Sequence, residues 1–320
     1  MIVQILGSGA GGGVPQWNCH CVNCAAARQP DGRVIPRTQS SAAISADGDH
    51  WFLLNVSADV RAQINASENL WPPEDQHRGT AIAGCLLTDA EIDHTSGLLQ
   101  LREGCRFPIY STSLVRQWLE LDLPLSRILQ HFAPRDWTIL DPQAPTELKL
   151  PNGRASGLEV GLLNVGEDIP RYVQHHAASP QGSIVALAIR DQMHGHMVVY
   201  APGVASLTPS LVNAAAQADI ILIDGTFWSD DEPRRTGIRD TTACQMGHLP
   251  VSGPTGTLDW LADQPAAHRV YVHINNTNPM LIEDGPERQQ VNARGIRVAQ
   301  DGDLFSLLPA DNNKPQESTT

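Results

Sequence analysis

The chain of 320 residues is long enough for one large layered domain or for two average domains. Its hydrophobic fraction of 41% and charged fraction of 18% are ordinary for a globular protein and exclude a wholly disordered, collagen-like or coiled-coil chain. With 22 Lys and Arg against 35 Asp and Glu, the net charge of −13 argues against binding of nucleic acid or of an anionic membrane surface. We therefore expect small molecules or other proteins as partners, and no nucleic acid.

The apolar segments of the chain are short. None approaches the roughly 18 residues that a membrane span needs. The opening residues MIVQILGSG contain neither the basic stretch nor the cleavage site of a secretory signal. We therefore expect no membrane insertion and a cytoplasmic location.

Strand-like and helix-like segments alternate along the chain. Apolar runs and alternation predict strands at residues 2–6, 41–46, 51–56, 84–88, 158–165, 183–189, 197–201, 220–224 and 270–273. Helices are predicted at residues 58–67, 113–119, 209–216 and 255–262, each opening near a Ser, Thr or Pro. Because no flexible linker interrupts this series, we expect a single layered domain over residues 1–308. The polar residues 309–320 are expected to form a disordered tail.

A glycine-rich loop follows the first predicted strand. Gly7, Gly9 and Gly12 fit the GxGxxG pattern of dinucleotide-binding loops, and Asp31 lies about twenty residues further on, as that pattern requires. The pattern also needs a helix directly behind the glycines, whereas Pro15 and a cluster of cysteines follow. A tight loop beside an active site is therefore favoured over a nucleotide site.

Three of the six cysteines form a CxCxxC cluster, Cys19, Cys21 and Cys24. Three thiolates on so short a segment can bind one tetrahedral Zn²⁺. A structural zinc site is favoured over a redox pair or a chance cluster of reduced thiols. The fourth ligand could be His20, a distant histidine, or a side chain near Asn276.

An apolar strand leads directly into four ionisable residues within six positions. Asp89, Glu91 and Asp93 alternate, and His94 follows. Three carboxylates on one side of a loop repel one another unless a cation neutralises them, which favours a metal site. The alternative is a solvated acidic loop with a helix N-cap at Asp93 or Thr95.

These residues resemble a known motif. In the metallo-β-lactamase superfamily a strand ends in HxHxDH, and the segment 89–94 is similar to it, with Asp and Glu in place of the first two histidines. Further matches follow in order at residues 6–16, 19–24, 220–228, 246–250 and 272–279. Together they resemble the pyrroloquinoline quinone (PQQ) biosynthesis protein B family of that superfamily, over residues 1–308.

The resemblance implies an α/β (α+β) fold, the αββα four-layer sandwich, with a metal site at one edge of its two sheets. It implies that Asp93, His94 and His273 are metal ligands. Asp89 and Glu91 stand where the superfamily has histidines, so each could complete the ligand set, orient it, or act as acid or base.

The resemblance also assigns residues further along the chain. His248 matches a general-acid histidine, so we expect Glu91 and His248 to be catalytic. Asn276 stands where related phosphodiesterases place the fourth ligand of the CxCxxC zinc. His175 and His176 lie near the position of a further ligand histidine.

Two imidazoles and one carboxylate form the ligand type of a mononuclear non-haem Fe(II) site, so Fe²⁺ or another divalent metal is expected at the edge. The resemblance implies a part in PQQ assembly, and with this ligand set we expect metal-dependent oxidation, such as hydroxylation, of a Glu-Tyr-derived precursor. The alternative is a carrier that moves PQQ or its precursor toward the periplasm. A two-metal hydrolase of this superfamily would have an Asp that bridges the two metal ions. Residues 201–203 stand at its place and contain no Asp, so a hydrolase is disfavoured. Expected partners are PQQ or its precursor and other proteins of the pathway.

Overall fold

The computed structural model describes residues 1–132, 136–174 and 180–307. The predicted disordered tail at residues 309–320 lies outside these ranges, and so do His175 and His176. The extent of the domain and the state of the tail stay predictions. None of the helices in the described ranges is long and apolar enough to cross a membrane.

Two sheets contain the strands of the described chain. The strands are β1 (Ile2–Gly7), β2 (Ser41–Ser45), β3 (Trp51–Leu54), β4 (Ile82–Leu86), β5 (Ile109–Ser111), β6 (Trp137–Ile139), β7 (Thr146–Lys149), β8 (Ala155–Gly166), β9 (Ile184–Asp191), β10 (Met197–Ala201), β11 (Ile220–Asp224), β12 (His268–Val272), β13 (Arg297–Val298) and β14 (Leu304–Ser306). The first sheet has the order β14-β1-β2-β3-β4-β5-β6 and the second the order β13-β12-β11-β10-β9-β8-β7. The chain thus completes most of the first sheet, builds the second, and returns to the first through β14.

Short helices connect the strands. They are α1 (Val22–Ala27), α2 (Val60–Asn65), α3 (Ile92–Thr95), α4 (Ser113–Leu121), α5 (Leu125–Leu129), α6 (Pro209–Ala215), α7 (Glu232–Arg235), α8 (Leu258–Ala262) and α9 (Pro286–Ala293). Residues of α2, α4 and α5 pack on the outer face of the first sheet, and residues of α6, α8 and α9 on the outer face of the second.

The alternation of side chains along the strands produces the layers. In β11, Ile220 and Leu222 belong to the apolar core between the two sheets, whereas Ile221 and Ile223 belong to the core beneath the helices. All four side chains are buried, which explains why this strand is apolar at every position. The predicted αββα four-layer sandwich is confirmed.

Several boundaries differ from the sequence-based expectations. The strand predicted at residues 158–165 extends over Ala155–Gly166, because it pairs along most of its length with β9. The helix predicted at 255–262 begins only at Leu258. The strands β5, β6, β7, β13 and β14 were not predicted, because runs of two to four residues carry too little periodicity.

The strand ends bring the candidate residues to one edge. The strands β11 and β12 are parallel, with Asp224 paired to Val272, so His273 emerges directly beside Asp224. In the first sheet, β3 and β4 are also parallel, and the acidic segment 89–94 follows β4. Loops from both sheets therefore meet at this edge.

Candidate metal centre

The structure brings Asp93, His94 and His273 together at the edge of the sheets. The Asp93 carboxylate oxygen Oδ2 lies 3.9 Å from Nε2 of His94 and 3.7 Å from Nε2 of His273. One ligand atom from each of the three residues lies within 4.8 Å of the other two. Both imidazoles are buried. The three residues that the resemblance implied as metal ligands thus form one compact cluster.

Backbone packing fixes the segment that carries His94. The side-chain amide of Asn55, which follows β3, donates to the hydroxyl of Thr88 at 2.9 Å and accepts from its backbone N–H at 3.0 Å. Gly97, just after α3, packs so closely that a Cβ there would lie 1.9 Å from the carbonyl oxygen of Ser57. Only glycine permits this approach, which explains the residue type after His94-Thr95-Ser96.

His94 is oriented by Asp89. Its Nδ1 lies 2.8 Å from Oδ2 of Asp89, whose carboxylate also accepts from the Thr88 hydroxyl at 2.7 Å and from the Glu91 backbone N–H at 2.9 Å. The Nε2 atom of His94 is buried and has no hydrogen-bond partner among the described residues. A buried, unpartnered nitrogen directed at a carboxylate and a second imidazole fits a metal ligand.

His273 is held in the same manner from the second sheet. Its backbone, directly after β12, is in the left-handed region with φ of 55°. The ring Nδ1 lies 2.8 Å from the hydroxyl of Thr226, and that hydroxyl donates to Asp224 at 2.6 Å. Since the hydroxyl proton is used for Asp224, the Thr226 oxygen can accept from Nδ1–H, and Nε2 of His273 remains available as a ligand.

His248 lies beside this cluster. Its Nδ1 is 2.7 Å from Oδ2 of Asp224, and its ring stacks on that of His273 with 5.4 Å between ring centroids. Ligand atoms of Asp224, His248 and His273 also lie within 4.8 Å of one another. The Asp224 carboxylate is already occupied, because it accepts from His248, from Thr226 and from the backbone N–H of Val204. This favours an orienting role for Asp224.

The cluster favours positive charge at its centre. Burial disfavours the charged form of His94, but attraction to Asp89 and Asp93 outweighs it and raises the pKa of His94 to about 9. Desolvation raises the pKa of the Glu91 carboxyl group to about 7, and repulsion from Asp89 and Asp93 adds to this rise. A divalent cation would satisfy the same field, which is the electrostatic reason that these acidic residues fit a metal.

The cluster opens into a pocket of about 380 Å³. Glu91 and His248 face this pocket, together with backbone of the glycine-rich loop at Gly11. The glycine-rich loop therefore lies beside the candidate site, as predicted from the sequence. Arg171 and Arg239 also line the pocket.

The sulfur atoms of Cys19, Cys21 and Cys24 form a second cluster, all within 4.8 Å of one another. The side-chain nitrogen of Asn276 lies 3.1 Å from the sulfur of Cys19 and 3.2 Å from that of Cys24. His20 is exposed and does not belong to this group. Of the fourth-ligand candidates, Asn276 is the one whose side chain contacts the sulfurs, and it does so through its NH2 group, which donates to them.

Backbone donors support the three sulfurs. The N–H of Gln16 lies 3.3 Å from the Cys24 sulfur, and the N–H of Cys21 lies 3.4 Å from the Cys19 sulfur. Cys21 also caps α1, since its sulfur accepts from the N–H of Cys24 at 3.5 Å. Such donors stabilise thiolates, so the loop fits a bound Zn²⁺.

Sequence reasoning missed Asp224, Thr226, Arg171 and Arg239. The signal for Asp224 was available, because it ends a buried strand whose parallel neighbour leads into His273. The arginines lie in connecting segments without periodicity, so no pattern predicted that they would face the pocket.

An αββα sandwich with a ligand cluster at the edge of its two sheets defines a protein of the metallo-β-lactamase fold. The model of the beta-lactamase superfamily domain matches residues 50–274. Coenzyme PQQ synthesis protein B of Ectopseudomonas mendocina (strain ymp) is 42% identical over 302 residues, which cover 94% of this chain and 98% of that protein. Its namesake from Methylococcus capsulatus (strain ATCC 33009 / NCIMB 11132 / Bath) is 40% identical over 303 residues, with the same coverage.

A solved structure agrees with these relatives. The crystal structure of Zn(2+)-bound PqqB from Methylobacterium extorquens matches with a TM-score of 0.85 and 41% identity, covering 96% of this chain and 100% of that one. The chain belongs to the coenzyme PQQ synthesis protein B family. The family resemblance seen in the sequence is confirmed.

Proposed function

We propose that this chain acts in PQQ synthesis as a metal-dependent oxidoreductase that hydroxylates a Glu-Tyr-derived precursor. The observation that carries the proposal is the cluster of Asp93, His94 and His273 at the floor of an open pocket, with the Nε2 atom of His94 unpartnered. Two imidazoles and one carboxylate are the ligand type of mononuclear non-haem iron sites.

Two metal positions follow from the donor sets. Cys19, Cys21 and Cys24, with Asn276 above them, would hold a structural Zn²⁺, for which thiolates are the preferred ligands. The edge cluster would hold Fe²⁺ or another divalent ion, which supplies the redox chemistry with O₂ when bound. Zinc would compete for the edge cluster in isolated protein, since its affinity for such ligands exceeds that of Fe²⁺.

The surrounding residues have distinct tasks. Asp89 and Thr226 each engage the Nδ1 atom of one histidine, which leaves Nε2 as the ligand atom. Hydroxylation inserts one oxygen atom of O₂ into a ring C–H bond and reduces the other to water, with two electrons from an external reductant and two protons. Glu91 and His248 face the pocket and can transfer these protons.

The carrier function is the second candidate. It is favoured by the replacement of the first two histidines of the motif. Asp89 stands in the place of one of them, and its carboxylate contacts His94 instead of being free in the pocket. A carrier would bind PQQ or its precursor without changing it.

Anaerobic loading with Fe²⁺, followed by a reductant, O₂ and the dipeptide L-Glu-L-Tyr, tests the proposal. We expect O₂ uptake and a product heavier by one oxygen atom, and neither when Zn²⁺ fills the edge cluster. Turnover with zinc alone and without O₂ would contradict the oxidoreductase proposal and indicate a hydrolase. Tight binding of PQQ without turnover by any metal form would favour the carrier.

A further inference from the structure

Two arginines stand on the wall of a pocket whose other charged residues are mostly acidic. Arg171 and Arg239 line the same pocket as Glu91 and Asp93. They come from distant parts of the chain, Arg171 from the connection between β8 and β9 and Arg239 from the segment after α7. The pocket is therefore acidic where the metal ligands lie and carries two permanent positive charges elsewhere.

The backbone at Arg171 is anchored. The hydroxyl of its neighbour Tyr172 donates to the carbonyl oxygen of Ala90, next to Glu91. The following residue, Val173, is buried, and its N–H donates to the carbonyl oxygen of Pro170 at 2.9 Å. The position of Arg171 is thereby tied to the acidic segment of the metal cluster.

The backbone at Arg239 is anchored as well. The carbonyl oxygen of Pro233, in α7, accepts from the N–H of Ile238 at 3.0 Å and from that of Arg239 at 3.2 Å. This double contact folds the chain back after the helix and directs residue 239 to the pocket.

Both arginine side chains are exposed and line the same pocket. Burial lowers the pKa of Arg239, and repulsion from Arg171 lowers it further, while Glu91 acts in the opposite direction. Among the described residues, neither guanidinium has a hydrogen bond or an ion pair. Two like charges held at one pocket are stabilised when an anion lies between them.

We infer that Arg171 and Arg239 bind carboxylate groups of the substrate and orient it in the pocket. The planar guanidinium fork matches a carboxylate with two parallel hydrogen bonds. The carboxylates of the cluster, Asp89 and Asp93, repel an anion, so an acidic substrate would enter with its carboxylates toward the arginines and its uncharged ring toward Asp93, His94 and His273. This inference rests on the proposed function, because it assumes a precursor with the carboxylates of a Glu-Tyr unit.

Binding of L-Glu-L-Tyr and of its diamide, which lacks both carboxylates, to the metal-loaded protein tests the inference by calorimetry. Arg171→Gln and Arg239→Gln should each weaken dipeptide binding about 10- to 100-fold, because a hydrogen bond to a charged group is lost. The diamide should bind all forms alike. Lys at either position should restore part of the affinity, since it keeps the charge without the fork.

Arg61→Gln is the matched control, because Arg61 is an exposed arginine of α2 outside the pocket. It should leave dipeptide binding unchanged, and metal content should be equal in all variants. Equal weakening of dipeptide and diamide, or no weakening in either arginine variant, would overturn the inference and leave the proposed function standing. Wild-type protein that binds neither the dipeptide nor PQQ would overturn both.

Discussion

The Nδ1 atom of His94 lies 2.8 Å from the carboxylate of Asp89. This contact leaves Nε2 as the ring nitrogen that faces Asp93 and His273. Asp89 stands where the superfamily motif has a histidine ligand, yet here its carboxylate faces the back of the neighbouring imidazole. Asp89 thus orients the imidazole of His94, the ligand that we propose, and the same relationship recurs between Asp224 and His248 at 2.7 Å.

Replacement of Asp89 by Asn should weaken metal binding at the edge cluster without abolishing it. We expect a loss of about 10- to 100-fold in affinity, which is usual when the hydrogen-bond partner of a ligating histidine is removed. Competition with a chelator of known affinity measures it, and Asp263→Asn, at an exposed site, is the control. Complete loss of the edge metal in the Asn variant would instead make Asp89 a direct ligand.

Replacement of His273 by Asn should remove one metal equivalent and leave the zinc of the cysteine cluster in place. Asn is chosen because residue 273 has φ of 55°, a conformation that Asn tolerates better than Ala does. Metal content per chain, measured by plasma mass spectrometry after dialysis, should fall from two equivalents to one. Retention of both metals would refute the assignment of His273.

Replacement of Cys21 by Ser should lower zinc content and the melting temperature together. Loss of a structural zinc removes folding free energy, and each kcal/mol corresponds to roughly 2–4 °C of melting temperature in a domain of 150–250 residues. Cys244→Ser, at an exposed cysteine, should change neither quantity. Wild-type protein without zinc, or a Ser variant with full zinc and unchanged melting, would contradict the structural site.

Replacement of Glu91 by Gln, or of His248 by Asn, should slow turnover more than it weakens metal binding. Both residues face the pocket but lie outside the cluster of Asp93, His94 and His273. We expect a loss of about 100-fold or more in kcat, the usual contribution of a proton-transferring group. A fall in metal affinity that accounts for the whole loss of activity would exclude an acid–base role for either residue.

Because of Glu232, the free energy of unfolding should fall as the pH rises toward neutrality. Burial of this side chain raises its pKa to about 7, although hydrogen bonds from Thr277 and Trp228 lower it. The folded state therefore binds more protons than the unfolded state between about pH 4.5 and pH 7. Its stabilising contribution is complete below that range and is lost as the pH rises through it, by about 3 kcal/mol in the free energy of unfolding.

Urea unfolding of wild type and of Glu232→Gln at pH 5 and pH 8 measures this effect. The difference between the two proteins should shift in favour of the Gln variant at pH 8, since the amide carries no charge at either pH. Glu74→Gln, at an exposed site, should follow the wild type. An identical pH dependence in wild type and the Gln variant would show that Glu232 does not titrate in this range.

The sequence predicted the cluster better than its surroundings. Asp93, His94 and His273 could be assigned because they match motifs of a known superfamily, and His273 also directly follows a buried strand. The role of Asp89 stayed open, because spacing does not show which side of an imidazole a carboxylate contacts. Arg171 and Arg239 could not be predicted, since their approach depends on how two irregular segments fold back onto the pocket.

The cluster also joins the two halves of the chain. His94 follows β4 of the first sheet and His273 follows β12 of the second, 179 positions later in the sequence. Neither half can assemble the ligand set alone, so metal binding there reports that the sheets have docked. A metal that binds only the docked form stabilises it by about 2.7 kcal/mol at a free concentration of 100 times its dissociation constant. The ion at this edge would thus bind only after both sheets have formed and docked. Its removal should first weaken the association of the two sheets.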